Sequence, residues 1–427
     1  MTLPEEFTAY TRPLMGEARY DRFMDALKQP APVSIRINPF KTCRGTVPAD
    51  MACEVPWCKE GYYLNDRPAF TFDPLIHAGA YYVQEASSMF IDHIVRQFVH
   101  QPVTALDLCA APGGKTTCLR AALPEGSHLY SNEPNAKRAQ ILAENVIKFG
   151  HPDVVVTNNY AIDYKRAGMR FGLILTDMPC SGEGMFRKDP DSIGEWSTEN
   201  VAKCTALQRS ILTDIWPCLL PGGLLIYSTC TFNAHENEEN IAFAVEELGA
   251  EVLSVPVEAD WNIVPQLTGE HPMWRFIPGS TRGEGLAVAL LRKPEAALQE
   301  GDTSAMGKSR GGKALRVLTE GIRPPEVKGK KTIPDVSQAL TICDEENPYP
   351  RVEVGYEEAI AYLRREAIVL PQGAPKGIIT VCFSGFALGF AKNLGTRANN
   401  LYPQEWRIRS THLPDKQPNT GLVSKQE

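Results

Sequence analysis

Two cysteines stand at the ends of apolar runs of strand type, where a pair of thiols could act on a bound ring. Cys180 lies in Asp177-Met178-Pro179-Cys180-Ser181-Gly182-Glu183-Gly184, after Gly172 to Asp177, and Cys230 lies in Ser228-Thr229-Cys230-Thr231-Phe232, after Gly223 to Ser228. In open α/β sheets, ligands bind at the carboxyl ends of the strands, so both thiols are expected to face one cleft. A thiolate adding to C6 of cytosine turns C5, otherwise a poor nucleophile, into an enolate-like carbon able to take a methyl group from a sulfonium. The ring then carries negative charge near N3 and O2, which a neighbouring group must absorb by protonation or hydrogen bonding. Asp177 is the candidate, and to act as an acid it would need burial to raise its pKa. With Cys230 attacking, Cys180 could take the C5 proton or help release the product. A strand-end cysteine taken alone is more often a small buried hydrophobe.

A second constellation precedes them. Ala105-Leu106-Asp107-Leu108-Cys109-Ala110-Ala111-Pro112-Gly113-Gly114-Lys115-Thr116-Thr117 runs from a strand through a glycine turn into a helix. Such a turn lets the backbone approach a ligand, and the helix start offers free N–H groups. It lacks the spacing of the dinucleotide fingerprint and of the P-loop, which disfavours hydride transfer and phosphate hydrolysis. Twenty residues beyond Gly113 stands Glu133, where a carboxylate commonly accepts from ribose hydroxyls. A nucleotide-like cofactor fits.

The elements that must carry these residues follow from periodicity. Strands are expected at Val103 to Cys109, His128 to Asn132, Val154 to Asn158, Gly172 to Asp177, Gly223 to Ser228 and Leu286 to Leu291, with helices such as Lys137 to Phe149 and Val201 to Cys218 between them, which is the pattern of an α/β parallel sheet. Upstream, Val33 to Ile37 alternates as a half-buried strand within a small α+β region. Downstream, Gly377 to Phe383 and Phe386 to Ala391 read as a hairpin in a β-rich module. The expected organisation is therefore an N-terminal α+β RNA-binding domain (1–95), a Rossmann-like α/β domain (96–295), a basic linker or extension (296–345) and a C-terminal β-rich module (346–427).

Composition bounds the partners. The chain has 427 residues, 43% of them hydrophobic, and a net charge of −7, so nucleic-acid binding must use local basic surfaces. Between Met306 and Asp335, Lys308, Arg310, Lys313, Arg316, Arg323, Lys328, Lys330 and Lys331 face three acidic residues, a local excess of +5; a solvated linker and an RNA-contacting strip explain it equally well. No apolar run approaches a membrane span and no secretion signal opens the chain, so the protein is expected to be cytoplasmic, away from membranes and monomeric. Eleven irregularly spaced cysteines with no Cys-x-x-Cys pair are expected to be free thiols and to hold no metal, with Cys118, Cys204, Cys218, Cys343 and Cys382 as small buried residues.

The segments 107–115, 177–184 and 228–232 together resemble the NOL1/NOP2/Sun family of RNA cytosine-C5 methyltransferases, nearest its bacterial 16S ribosomal RNA members of the F type. Ser34-Ile35-Arg36-Ile37-Asn38, Gly79 to Met89, Phe186 to Pro190 and Arg282 to Leu286 agree with it, and Gly385 to Lys392 with Asn399 to Pro403 resemble a PUA module. The resemblance implies a class I methyltransferase sheet and S-adenosylmethionine as cofactor, held by Cys109, Ala110, Ala111, Pro112, Gly113, Gly114, Lys115, Glu133 and Asp177. It implies Cys230 as nucleophile, Cys180 in product release, and Lys115 and Asp177 lining the site. DNA enzymes use the cysteine of the Pro-Cys motif instead, so possession of both cysteines favours RNA. One departure stands out: the family's adenine-contacting acid falls by spacing at Tyr160, which leaves Asn159, Tyr160 or Asp163 for that contact. Competing readings keep the chemistry on transfer RNA or 23S ribosomal RNA, or reduce the chain to a silent RNA-binding assembly factor. Lys392, Arg397, Arg407 and Arg409 could contact phosphates, with Tyr402 and Trp406 expected to pack.

Overall fold

The computed structural model describes residues 2–295, 314–329, 331–343, 345, 347–410, 414, 418 and 421–424. Residues 296–313, 330 and 344 of the expected linker, with Lys308, Arg310, Lys313 and Lys330 of the basic strip, lie outside the described residues.

The chain opens with two amphipathic helices, α1 (Glu5–Met15) and α2 (Glu17–Leu27). Their apolar stripes do not build a core of their own. Phe7 meets Phe186 and Trp196 edge-on, and Phe23 meets Phe232 at 5.0 Å, so the helix pair buttresses the segments that follow the two cysteines. Next come β1 (Ser34–Ile37), β2 (Met51–Glu54), β3 (Gly61–Leu64) and β4 (Tyr81–Val83), joined as an antiparallel sheet in the order β2-β3-β1-β4. Arg36 of β1 is buried and reaches Gln84 and Thr117, which docks this sheet onto the next domain.

The central sheet is built from β5 (Thr104–Asp107), β6 (His128–Asn132), β7 (Val154–Thr157), β8 (Phe171–Asp177), β9 (Leu219–Thr229) and β10 (Leu286–Arg292), close to the expected strands. Strands β5 to β9 run parallel and β10 runs antiparallel to β9, in the order β10-β9-β8-β5-β6-β7. Their residues are apolar on both faces because helices cover both. Leu106, Ile174, Leu225 and Tyr227 pack on one side, and Ala105, Leu173, Leu175 and Ile226 on the other, all essentially inaccessible. The chain reverses its direction of travel across the sheet between β5 and β8, which opens a crevice there. Two of the covering helices are α3 (Gly114–Ala122) and α4 (Ala136–Phe149). Asn135 caps α4 by accepting from Lys137 and Arg138, and Gly150 ends it in the left-handed region at φ 84°.

The segment read as a linker is in part a strand. Residues β11 (Val317–Glu320) pair antiparallel with β7 and close that edge of the sheet. The Asn159 side chain fixes the approach, accepting from Arg316 N at 3.0 Å and donating to Arg316 O at 3.2 Å. Beyond it, β12 (Gly377–Phe383) and β13 (Phe386–Asn393) form the expected hairpin. Its two turn residues, Ser384 and Gly385, both have positive φ (48° and 79°), the twist that suits a two-residue hairpin. Tyr402 is buried between Tyr362 and Trp406, as expected of a packing residue, while Lys392, Arg397, Arg407 and Arg409 are exposed. Cys118, Cys218 and Cys382 are buried, whereas Cys204 and Cys343 are only half-buried. Among the described residues, no helix is long and apolar enough to cross a membrane.

Candidate active site

Strand ends bring the chemistry-bearing residues together. Asp177 ends β8 and Cys180 follows it; Cys230 directly follows β9, its parallel neighbour. The two sulfurs lie 3.3 Å apart. The thiol of Cys180 is held well above its ordinary pKa, first by its hydrogen bond with Cys230 and then by burial. Lys115, in the first turn of α3, reaches across the crevice to Asp177 with its ammonium 2.9 Å from Oδ2. Burial lowers the Lys115 pKa, but the charge of Asp177 and its hydrogen bond outweigh that and raise it. Ser228 Oγ donates to the other Asp177 oxygen at 3.0 Å. Asp177 is thus an ion-paired carboxylate with a third of its side chain exposed, not the deeply buried acid that the sequence argument required.

The glycine turn lies on the opposite side of the crevice. Gly113 caps α3 at φ 117°, a conformation that only glycine adopts without strain, and an added Cβ would press on Leu142 and Asn145 at 3.4 Å. Asn132 ties three strand ends together, its amide donating to Leu108 O and Asn159 O while Ala110 N donates to its backbone carbonyl. Cys109, half-buried beside this turn, packs against the core under the sheet, and burial drives its thiol far up. Pro112 is exposed, whereas Ala110 and Ala111 are buried. Glu133 is buried at the end of β6, accepting from Asn135 N, with Arg138 3.5 Å from its second oxygen.

Of the three residues left open for the adenine contact, two have other partners. Asn159 is engaged with the Arg316 backbone, and Asp163 accepts from Tyr160 N in the capping box of a short helix, Ala161–Arg166. Tyr160 is exposed.

The sequence reading missed several residues. Asp107, at the end of β5, accepts from Thr116 through Oδ2, while Oδ1 is buried with no partner. Burial pushes its carboxyl up to about 7. Its place as the first acid of the glycine-turn segment was the available signal. Glu183 and Glu236, buried beside the thiols, gave no local signal, nor did Arg275, whose guanidinium pairs with Glu238 at 2.7 Å and donates to the carbonyls of Thr231, Phe232 and Asn233.

A Rossmann-like sheet with a glycine turn at its switch point, an acid after the second strand and an orphaned buried carboxylate oxygen beside the turn is the site of a class I methyltransferase, and its methyl donor is S-adenosylmethionine. These residues fit that molecule: Asp107 offers an unsatisfied acceptor to a cationic ligand and Gly113 leaves the turn free of a side chain. A family profile described as 16S rRNA methyltransferase RsmB/F matches residues 99–292, one for the N-terminal domain of RsmF matches 3–86, and one for the RsmF PUA domain matches 349–408. Ribosomal RNA small subunit methyltransferase F of Aliivibrio salmonicida is 32% identical over 72% of this chain and 67% of its own, and that of Cronobacter sakazakii is 29% identical over 94% and 96%. The chain belongs to the ribosomal RNA small subunit methyltransferase F family. Among solved structures, a methyltransferase homologue from Pyrococcus horikoshii matches with a TM-score of 0.57 at 26% identity, covering 68% of this chain and 95% of that one. NSun6 from Pyrococcus horikoshii with SFG has the same score at 20% identity, covering 68% and 98%, a likeness of fold.

Proposed function

We propose that this enzyme methylates C5 of cytosine in 16S ribosomal RNA through a covalent bond from Cys230 to C6. The observation that carries the reading is the pair of thiols 3.3 Å apart, beside the Lys115–Asp177 ion pair, at the mouth of the cofactor crevice. Bound S-adenosylmethionine, held by residues 109–115 with Glu133 and Asp177, supplies an electrophilic methyl group. The Cys230 thiolate adds to C6, and the electron pair of the C5–C6 double bond moves into the ring. Asp177 and Lys115 form one hydrogen-bonded unit whose ammonium protons face the charge growing at N3 and O2. Once C5 carries the methyl group, a water molecule takes the C5 proton, the electron pair of that C–H bond re-forms the C5–C6 double bond, and the Cys230 sulfur leaves as a thiolate. Cys180, held protonated, donates to that sulfur as it departs and takes up its developing charge.

Recognition of RNA falls to the N-terminal sheet and the PUA-like module, where exposed Lys392, Arg397, Arg407 and Arg409 meet phosphates. The enzyme acts as a cytoplasmic monomer without a membrane partner. Labelled cofactor and 16S ribosomal RNA, free or in the small subunit, test the reading. Cys180→Ala is expected to accumulate a covalent RNA adduct, and Cys230→Ala to abolish adduct and turnover alike. The reverse pattern would reassign the nucleophile, and label transfer only to transfer RNA or 23S ribosomal RNA would reassign the substrate.

A further inference from the structure

Two buried carboxylates cross between the cysteine segments. Glu183, three residues after Cys180, reaches into the Cys230 segment: its Oε2 accepts from the backbone N–H groups of Phe232 (2.5 Å) and Asn233 (3.0 Å), and its Oε1 from Asn233 Nδ2 and Trp196 Nε1. Glu236, six residues after Cys230, reaches back: it accepts from Ser181 N at 3.0 Å, from Ser181 Oγ, from Asn233 Nδ2 at 2.8 Å and from Gln208 Nε2 at 2.7 Å. The same Gln208 nitrogen donates to Pro179 O, so the peptides on both sides of Cys180 are held from the Glu236 side. Gly184 N completes the weave by donating to Cys230 O at 2.7 Å.

Neither carboxylate has more than 1% exposure, and each is satisfied by neutral donors rather than by a cation. Burying a carboxylate in this way is costly, and apolar residues of like volume would pack such a site at less expense. What an ionised acceptor provides is short, directional hydrogen bonds to several donors at once. Those donors flank the two sulfurs, where an error of about 1 Å costs on the order of a hundredfold in rate.

We propose that Glu236 and Glu183 are positioning residues for the two thiols, Glu236 setting Cys180 for release of the product and Glu183 setting Cys230 for attack. The proposal rests on the roles given above to those cysteines. An amide in place of either carboxylate keeps the volume but turns N–H against N–H, because the groups facing it are donors.

Full-length Glu236→Gln and Glu183→Gln are compared by adduct trapping on denaturing gels, single-turnover methylation of 16S ribosomal RNA and melting temperature. Glu236→Gln is expected to methylate in a single turnover within about fivefold of the unsubstituted enzyme, yet to accumulate adduct and lose at least tenfold in multiple turnover. Glu183→Gln is expected to lose at least tenfold in the rate of adduct formation and to accumulate none. A merely structural role lowers both rates together with the melting temperature, so identical profiles for the two variants overturn the proposal, as do rates within twofold of the unsubstituted enzyme. Should Glu236→Gln not fold, Ser181→Ala, which removes one hydroxyl held by Glu236, is expected to accumulate adduct about threefold over the unsubstituted enzyme, and no accumulation overturns the Glu236 assignment. Cys180→Ala is the control that separates the two levels. If it accumulates no adduct, the roles of the cysteines fail; if it does and the Glu236 variants do not, only the positioning role fails.

Discussion

The carboxyl of Asp107 should make the cofactor-free enzyme lose stability as pH rises toward neutrality. It lies at 0% exposure at the end of β5, with one oxygen held by Thr116 and the other without a partner, and burial pushes its pKa up to about 7 from 3.8. An acid whose folded pKa lies above its unfolded one holds a proton in the native state that the unfolded chain has already released. Stability from this group is therefore present below the unfolded pKa and declines through the window between 3.8 and about 7, by about 1.4 kcal/mol per pH unit. Between pH 5 and pH 7 the loss amounts to about 2 to 3 kcal/mol. Asp107→Asn keeps the acceptor for Thr116 and cannot titrate, so the difference in unfolding free energy between the two proteins isolates the group from all other titrations. Urea unfolding of cofactor-free protein at pH 5, 6, 7 and 8 should show that difference shrink by this amount and level off above pH 7. A difference that stays flat to within about 0.5 kcal/mol across the series would refute the reasoning. A cationic cofactor favours the ionised carboxylate, so calorimetry should also show S-adenosylmethionine binding more tightly from pH 6 to 8 with release of a proton.

Arg275→Met should destabilise the enzyme by about 3 to 5 kcal/mol, because it leaves Glu238 buried without its cation and removes the guanidinium donor from the Phe232 carbonyl, while the Thr231 and Asn233 carbonyls keep only Asn237; the double variant with Glu238→Gln should lose less than the sum of the singles, and strict additivity in denaturant unfolding would contradict this. Gly184→Ala places a Cβ 2.7 Å from the Cys230 carbonyl oxygen, so the Cys230 segment must shift; adduct formation should fall at least tenfold with a stability loss of about 1 to 3 kcal/mol, and an unchanged rate would show that the segment yields elsewhere. Dilute hydrogen peroxide should join Cys180 to Cys230, whose sulfurs need to approach by about 1.3 Å to bond. Two thiols are consumed as peroxide goes to two waters, so the chain should lose two hydrogens in mass and dithiothreitol should restore activity; a gain of oxygen mass in place of that loss would exclude the bond.

Much of the site was legible because it is local to strand ends. Buried parallel strands are continuous apolar runs, so Leu173 to Thr176 and Leu224 to Tyr227 marked β8 and β9, and Cys180 and Cys230 followed as residues at their carboxyl ends. The glycine turn was equally plain, since Gly113 and Gly114 stand between an apolar run and a helical pattern. What escaped depends on distant partners. The apolar faces of α1 and α2 promised burial without saying that Phe186 and Phe232 would receive them. Glu183 and Glu236 look like surface residues in a polar segment, and only the fold encloses them among Ser181, Asn233 and Trp196. The ion pair of Asp177 depends on Lys115, whose reach across the crevice no spacing encodes. Four residues of β11 amid lysines and glycines were too few to register as a strand.

That short strand has a bearing on how the chain can be divided. Without Val317 to Glu320, the N–H and C=O groups of β7 on that side would stand as a bare, apolar border, an invitation to intermolecular pairing. A protein ended after residue 295 would therefore be expected to aggregate even with every catalytic side chain intact. The partner of Val156 is Thr319, more than 160 residues further along the chain, so a nascent chain carries this border open until that whole intervening stretch has been made.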